Sequence, residues 1–275
     1  MRSWSAILDE HFASLPLYLR VIIILLVLLI IAVISRKKRF VTRSGAFMAA
    51  AIGFVVFYIG GISGFVILLF FFLSASIVGK IVRRNDGIGE KGNERDMMQV
   101  AANGLPAALM LILFRLSPFP SSALIAFAAS VAEAEADTLA SEIGSLSHKD
   151  PLSIVTMTRV PKGLSGGITL LGTMASLAAS FVIALLFLGT FGCRIQDIFI
   201  ITISGTLGAL FDSFLGATLQ VHYRDETGAL TEKERDENGN ENIRVRGIKW
   251  MDNDAVNLLS GLSAASIAFA LGLIR

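Results

Sequence analysis

The chain has 275 residues, 54% of them hydrophobic and only 17% charged, and its mean hydropathy of +0.69 lies far above that of a water-soluble domain. A formal net charge of +2 gives no reason to expect a nucleic-acid partner. A single cysteine, Cys193, excludes an intrachain disulfide, and His11, His148 and His222 lack the spacing of a zinc or haem site, so any metal is expected to be a hard, oxygen-bound ion.

Residues 15–35 are apolar over the ~20 residues that cross a hydrocarbon core of roughly 30 Å. Arg36-Lys37-Lys38-Arg39 follow this run instead of preceding it, which argues for a retained first span and against a cleaved signal peptide. Further spans are predicted over 44–59, 62–82, 98–116, 121–143, 165–188, 198–219 and 254–274, about eight in all. Taken alternately, the connections 36–43, 83–95, 144–164 and 220–253, with Lys80 at a helix end, hold 19 of the 24 Lys and Arg residues. Positive residues are retained in the cytoplasm during insertion, so the expected fold is an all-α polytopic transmembrane helix bundle with both termini outside. It forms a single integral membrane domain, 1–275, with a polar cytoplasmic loop, 220–253, within it. In a prokaryote this would be the cytoplasmic membrane, with the functional groups facing the cytoplasm.

The loop 223–246 interleaves Asp225, Glu226, Glu232, Glu234, Asp236, Glu237 and Glu241 with basic residues around the turn signal Asn238-Gly239-Asn240. It reads as a hairpin or mobile excursion, and equally as a solvated loop without chemistry. No internal repeat supports the inverted-repeat plan of many transporters. The string Gly87-Ile88-Gly89-Glu90-Lys91-Gly92 fits GxGxxG but lacks the strand and crossover of a dinucleotide site, and no P-loop signature occurs.

The fifth span places Glu133, Glu135, Asp137 and Glu142 within ten residues of a membrane helix. A charge at the bilayer centre costs roughly 2.5–3.5 kcal/mol on insertion scales, so such groups face a cavity or partners. At 100° per residue, Glu133, Asp137, Ser141, Thr138, Glu142 and Glu135 share an arc of about 200°. In the seventh span Gly208, Asp212 and Gly216 recur every fourth residue, setting an acid in a stripe that permits close helix approach. The eighth opens with Asp252-Asn253-Asp254 and carries Asn257 one turn on. The fourth follows Arg95-Asp96, places Gln99 and Asn103 on one face, and contains Pro106, expected to kink it.

Under this topology Asn103, Asp137, Glu142, Asp212, Asn253, Asp254 and Asn257 fall in the cytoplasmic halves of their helices and can converge. Converging carboxylates repel, and a divalent cation relieves them, Mg²⁺ preferring carboxylate, water and phosphate oxygens. An internal hydrogen-bond network is the structural alternative. Between the fifth and sixth spans, Arg159 and Lys162 precede Ser165-Gly166-Gly167, where backbone amides at a helix entrance can hold phosphate. Glycines there also make tight turns, and Lys162 also satisfies the positive-inside rule, so both readings stay open.

Five ordered stretches together resemble a known family. They are Arg95-Asp96-x-x-Gln99-Val100-x-Ala102-Asn103-Gly104, Asp137-Thr138-Leu139-Ala140-Ser141-Glu142-Ile143-Gly144, Val160-Pro161-x-Gly163-x-Ser165-Gly166-Gly167, Asp212-Ser213-x-x-Gly216-Ala217 and Asp254-x-Val256-Asn257. The chain over about 42–274 is similar to the integral membrane family of vertebrate transmembrane protein 19 and plant phytyl-phosphate kinase. The resemblance implies a kinase that converts an isoprenyl monophosphate to the diphosphate with CTP, ATP or another nucleoside triphosphate, and Mg²⁺ as cofactor. It implies metal ligation by Asp137, Glu142, Asp212 and Asp254, with Asn103 beside them in the catalytic set. Phosphate or nucleotide binding would fall to Arg95, Arg159, Lys162, Ser165, Gly166, Gly167, Asn253 and Asn257. The expected partners are membrane lipid, the isoprenyl phosphate and the nucleotide. The alternatives are a transporter or flippase for an anionic lipid, using the same acids as ion sites, and a non-catalytic membrane scaffold. Glu133 and Glu135 receive no role.

Overall fold

The computed structural model describes residues 4–82, 94–236 and 239–275. The helices are α1 (Trp4–Ser14), α2 (Leu17–Lys37), α3 (Arg43–Val82), α4 (Met97–Leu116), α5 (Pro120–Ser145), α6 (Leu170–Phe191), α7 (Ile195–Thr218) and α8 (Asn253–Leu273). Short strands β1 (Leu152–Ser153) and β2 (Gly167–Ile168) pair between α5 and α6, and β3 (His222–Arg224), β4 (Leu230–Thr231) and β5 (Ile243–Arg246) lie between α7 and α8.

Helix α3 is two antiparallel segments. Gly61 has φ +67°, a left-handed conformation that ends the first segment. The rings of Phe57 and Phe65 stack at 4.6 Å, whereas eight residues of straight helix would hold them about 12 Å apart. Asp9 from α1 caps the second segment, accepting the Ile62 amide at 2.6 Å and the Ser63 hydroxyl at 2.6 Å. A side chain at position 61 would run into that carboxylate. Helix α1, which the sequence reading did not anticipate, is thereby tied across the bend, and Ser5 Oγ, donating to Thr190 O at 2.6 Å, ties it to α6.

Six helices are long and apolar enough to cross a membrane. Counting α3 as two segments and adding α5, which its carboxylates keep out of that set, restores the eight expected crossings. Helix α5 is the hub, packed against α3, α4, α6, α7 and α8. Its richness in alanine explains why: Ala126, Ala129, Ala132 and Ala136 are wholly buried and let five helices approach one axis. Leu29, Leu170 and Ile195 point outward, 60%, 79% and 68% exposed, as apolar side chains facing lipid do.

Local signals fix the helix ends. Asp96 and Gln99 form a capping box on α4, and Thr169 accepts the Gly172 amide at 3.0 Å on α6. Asp252 accepts the Ala255 amide at 2.9 Å on α8. Asp197 in the first turn of α7 accepts the Arg194 amide and pairs with Arg275 at the other end of the chain. Within 220–253 the described residues form a three-stranded antiparallel sheet of order β4-β3-β5, the hairpin form of the expected excursion. The string from Gly87 to Gly92 lies outside the described residues.

A carboxylate seam beside a glycine turn

Helices α5, α7 and α8 bring acids together inside the bundle. Ser260 Oγ lies 2.7 Å from Glu133 Oε1, 3.2 Å from Asp212 Oδ2 and 3.0 Å from the Asn257 carbonyl. A hydroxyl carries one proton, so three acceptor oxygens converge on a single donor. Asn257, with its amide nitrogen facing Asp212, donates to Oδ2 at 3.0 Å and to the Asn253 carbonyl at 3.2 Å. Asp137, one turn beyond Glu133, lies within repelling distance of both Glu133 and Asp212. Among the described residues no Lys or Arg forms an ion pair with Glu133, Asp137 or Asp212. The seam therefore crowds carboxyl groups in a medium that screens charge poorly.

The approach depends on Gly208. A Cβ there would sit 2.6 Å from Glu133 Cγ and 2.8 Å from Ala264 Cβ, so only glycine lets α7 meet both α5 and α8 at this level. One turn past Asp212, Gly216 meets the loop that precedes α6. Its Cβ position is 3.0 Å from both the Gly166 amide nitrogen and Ser165 Cβ. Gly166, at φ +86°, lies flat against Ala217. The glycine turn is thus docked about 6 Å along α7 from Asp212.

The β3–β5 sheet completes that corner. Glu232 Oε1 accepts the Ser165 amide at 3.0 Å and lies 3.9 Å from Nε2 of the buried His222. His222 Nδ1 donates to the Gln220 carbonyl at 3.0 Å, leaving Nε2 to accept from Arg246 Nη2 at 3.3 Å. Arg246 Nη1 also donates to the Ala217 carbonyl at 3.2 Å. A cavity of about 450 Å³ opens here between Ser153, Thr156, Ser165, Gly166 and Arg246.

The residues singled out in the sequence fall into separate places. Asp137, Asp212, Asn253 and Asn257 belong to the seam or its edge, and Ser165 and Gly166 to the adjoining turn, with Gly167 leading into β2. Glu142 stands five residues beyond Asp137, and Asp254 six residues before Ser260. Glu142 is therefore about 7–8 Å along α5 from Asp137 and about 13–14 Å from Glu133, and Asp254 is about 9 Å along α8 from Ser260. Lys162 Nζ donates to the Ser147 and Ser145 carbonyls at 2.7 and 3.4 Å, closing the end of α5, where carbonyls and dipole favour a cation. Arg159 is exposed and bridges Leu152 through its backbone. Asn103 donates to the Gln99 carbonyl at 2.9 Å and, with Arg95, faces a second cavity between α2, α3 and α4. Glu135 turns to α3, accepting from Ser74 Oγ at 2.9 Å.

Sequence reasoning left Glu133 unassigned and passed over Ser260, Glu232, His222 and Arg246. Ser260 follows Asn257 by three residues and was recoverable from helical spacing. Glu232, His222 and Arg246 meet through strand register, which the loop composition does not encode. Among the described residues no three Asp, Glu, His or Cys side chains already stand as ligands of one ion. Two carboxylates and a neutral amide do suit an ion that keeps waters and takes further oxygens from a phosphate, as Mg²⁺ does.

Fold and seam together define a polytopic helical membrane protein with an acidic site built into one end of its bundle. The chain belongs to the integral membrane protein family DUF92, whose pattern matches residues 26–265. It is 34% identical to Uncharacterized membrane protein MJ0933 of Methanocaldococcus jannaschii, over 66% of this chain and 76% of that one. It is 31% identical to Protein PGR of Arabidopsis thaliana, over 76% and 82% respectively. A further Arabidopsis relative, Protein VTE6, chloroplastic, is 26% identical over 84% of this chain and 65% of its own length. No solved structure matches.

Proposed function

We propose that this protein is a membrane-embedded kinase that transfers a phosphoryl group from a nucleoside triphosphate, CTP or ATP, to an isoprenyl monophosphate. The observation that carries the reading is the convergence of Glu133 and Asp212 on one serine hydroxyl, with Asp137 one turn along α5, beside a glycine turn. The resemblance to the phytyl-phosphate kinase family and the likeness to VTE6 favour the same chemistry.

Phosphoryl transfer asks the protein mainly for position and charge neutralisation. Asp137 and Asp212 would hold Mg²⁺, with Glu133 adding charge and Asn257 fixing the Asp212 carboxylate by its amide. When bound, the ion would screen the charge of the donor phosphates. The amides of the 165–167 turn and the Arg246 guanidinium would orient those phosphates. An oxygen of the lipid phosphate attacks the terminal phosphorus of the donor, the bond to the bridging oxygen breaks, and the nucleoside diphosphate leaves. The excess of Lys and Arg on the connections 36–43, 144–164 and 220–253 favours a cytoplasmic position for this end of the bundle, where nucleotide is available.

The test incubates purified protein with Mg²⁺, labelled CTP or ATP, and phytyl or geranylgeranyl phosphate, and looks for the labelled diphosphate. Formation of that product supports the reading. No product with either donor, together with protein-dependent movement of the lipid phosphate across vesicles, overturns it in favour of a flippase.

A further inference from the structure

A second cavity lies away from the seam. It encloses about 750 Å³, open mouth included, between α2, both segments of α3 and α4. Its wall is built from apolar side chains such as Leu28, Ala32, Ala50 and Leu68, and its polar side chains are Arg95, Gln99, Asn103 and Ser35. These polar groups are not scattered. Ser35 ends α2, while Arg95 and Gln99 begin α4, so they mark the mouth, and Asn103 lies two turns deeper.

Three features say what fits. The mouth is net cationic: the adjoining segment 36–43 carries five Lys and Arg residues, which with Arg95 outnumber Glu94, paired with Arg36 at 2.6 Å, and Asp96, and its Val41 lines the cavity. The body is apolar and narrow, with about 80 Å³ of enclosed space and the rest open to the side, which suits a single chain better than the paired tails of a phospholipid. The side is open: α2 packs on α3 and otherwise presents its leucines and isoleucines to lipid. An amphiphile already in the bilayer therefore reaches the groove sideways, tail first along α2, with its head at the basic mouth.

The groove also communicates with the seam. Three residues past Asn103, the Pro106 ring lies 3.0 Å from the Cβ position of Gly261, and Glu133 Oε2 lies 3.3 Å from that same point. A single turn of α4 separates the inner polar group of the groove from the acids.

We propose that the groove between α2, α3 and α4 holds the chain of a linear polyisoprenoid monophosphate, with its phosphate at the Arg95 and Asn103 end. The identity of the head group rests on the kinase reading; the location of the chain rests on the cavity.

The test uses the full chain in lipid nanodiscs and a geranylgeranyl monophosphate carrying a photoreactive diazirine on its tail. Adducts mapped by mass spectrometry are expected on α2, α3 and α4 residues that line the groove. Ala32→Trp and Ala50→Trp are each expected to cut labelling at least about tenfold, as is replacing the phosphate by the alcohol. The first position is half-exposed on the outer helix, so its filling is tolerated even where the second perturbs folding. Adducts spread over the lipid faces of α6 and α7, or labelling undiminished in both variants, would overturn the assignment. Groove adducts without any diphosphate product keep the groove and remove the kinase. Diphosphate formation at an unchanged rate in both tryptophan variants does the reverse.

Discussion

The two polar regions of this bundle are built on opposite principles. In the seam of α5, α7 and α8, Gly208 and Ala264 bring backbones together so that acids meet at hydrogen-bond distance with no room to spare. Around α2, α3 and α4 the helices stand apart, and polar groups sit only at one end of an apolar space. Tight packing with unrelieved charge suits a step that develops and disperses charge, whereas slack packing with a basic mouth suits holding an amphiphile. The two regions should therefore respond to mutation in opposite ways.

The largest expected effect tests whether the seam is there for chemistry or for stability. Asp212→Asn removes a charge from a site that already holds too many while keeping the shape and the contact with Asn257. Turnover is expected to fall about 10²–10³-fold, as on losing one electrostatic group of a transition-state site, with the midpoint of thermal unfolding unchanged or raised. Asp137→Asn is expected to behave alike. A variant that unfolds more readily yet turns over normally would show that the acids form a structural hydrogen-bond network instead.

A second contrast lies in packing. Gly208→Val forces α7 away from Glu133 and Ala264 and is expected to destabilise by about 1–3 kcal/mol through overpacking. Ala32→Phe, on the wall of the open groove, is expected to change stability by less than about 0.5 kcal/mol. Thermal unfolding of both variants in the same detergent measures the difference, and equal losses would mean the groove is a closed core and no space for a ligand.

The same contrast explains what was legible in the sequence. Long apolar runs gave the spans, and the period of 3.6 placed Asp212 in a glycine stripe and Asn253 one turn from Asn257, because helix geometry is local. What brought Glu133 and Ser260 face to face is the rotation of three helices about their axes, which no single segment encodes. The sheet that carries Glu232 to Ser165 depends on pairing between strands separated by a charged loop whose composition read only as polar. The bend at Gly61 was legible as a pair of glycines between spans, but its cap from Asp9 was not, since α1 falls below the length of a span.

That cap supplies the next prediction. Asp9→Ala leaves the first amides of the second α3 segment without their acceptor and is expected to cost about 1 kcal/mol, within the 0.5–2 kcal/mol typical of a lost cap. Turnover per folded molecule should not change, because the bend lies at the end of the bundle away from the seam. Asp9→Asn should recover part of the loss, and an Asp9→Ala protein as stable as the parent would show that water replaces the cap at no cost.

The smallest effect concerns the β3–β5 sheet alone. Asp225 is held below the ordinary range of a carboxylate, first by the Thr227 hydroxyl at 2.6 Å and then by the Ala229, Thr227 and Gly228 amides. A depressed value contributes stability above the unfolded pKa of about 3.9 and loses it as pH falls through the folded one. Asp225 is half-buried at the surface of the sheet, so the consequence is local. Amide exchange protection at Thr227 and Ala229 is expected to drop between pH ~6 and pH ~2.5, while the helices around α5 keep theirs. Asp225→Ala should lack that protection at every pH. A profile that is flat across this range in the parent, or one in which α5 loosens together with the turn, would mean that the sheet and the buried seam respond as one unit, and the separation drawn between the rim of this site and its interior would fail.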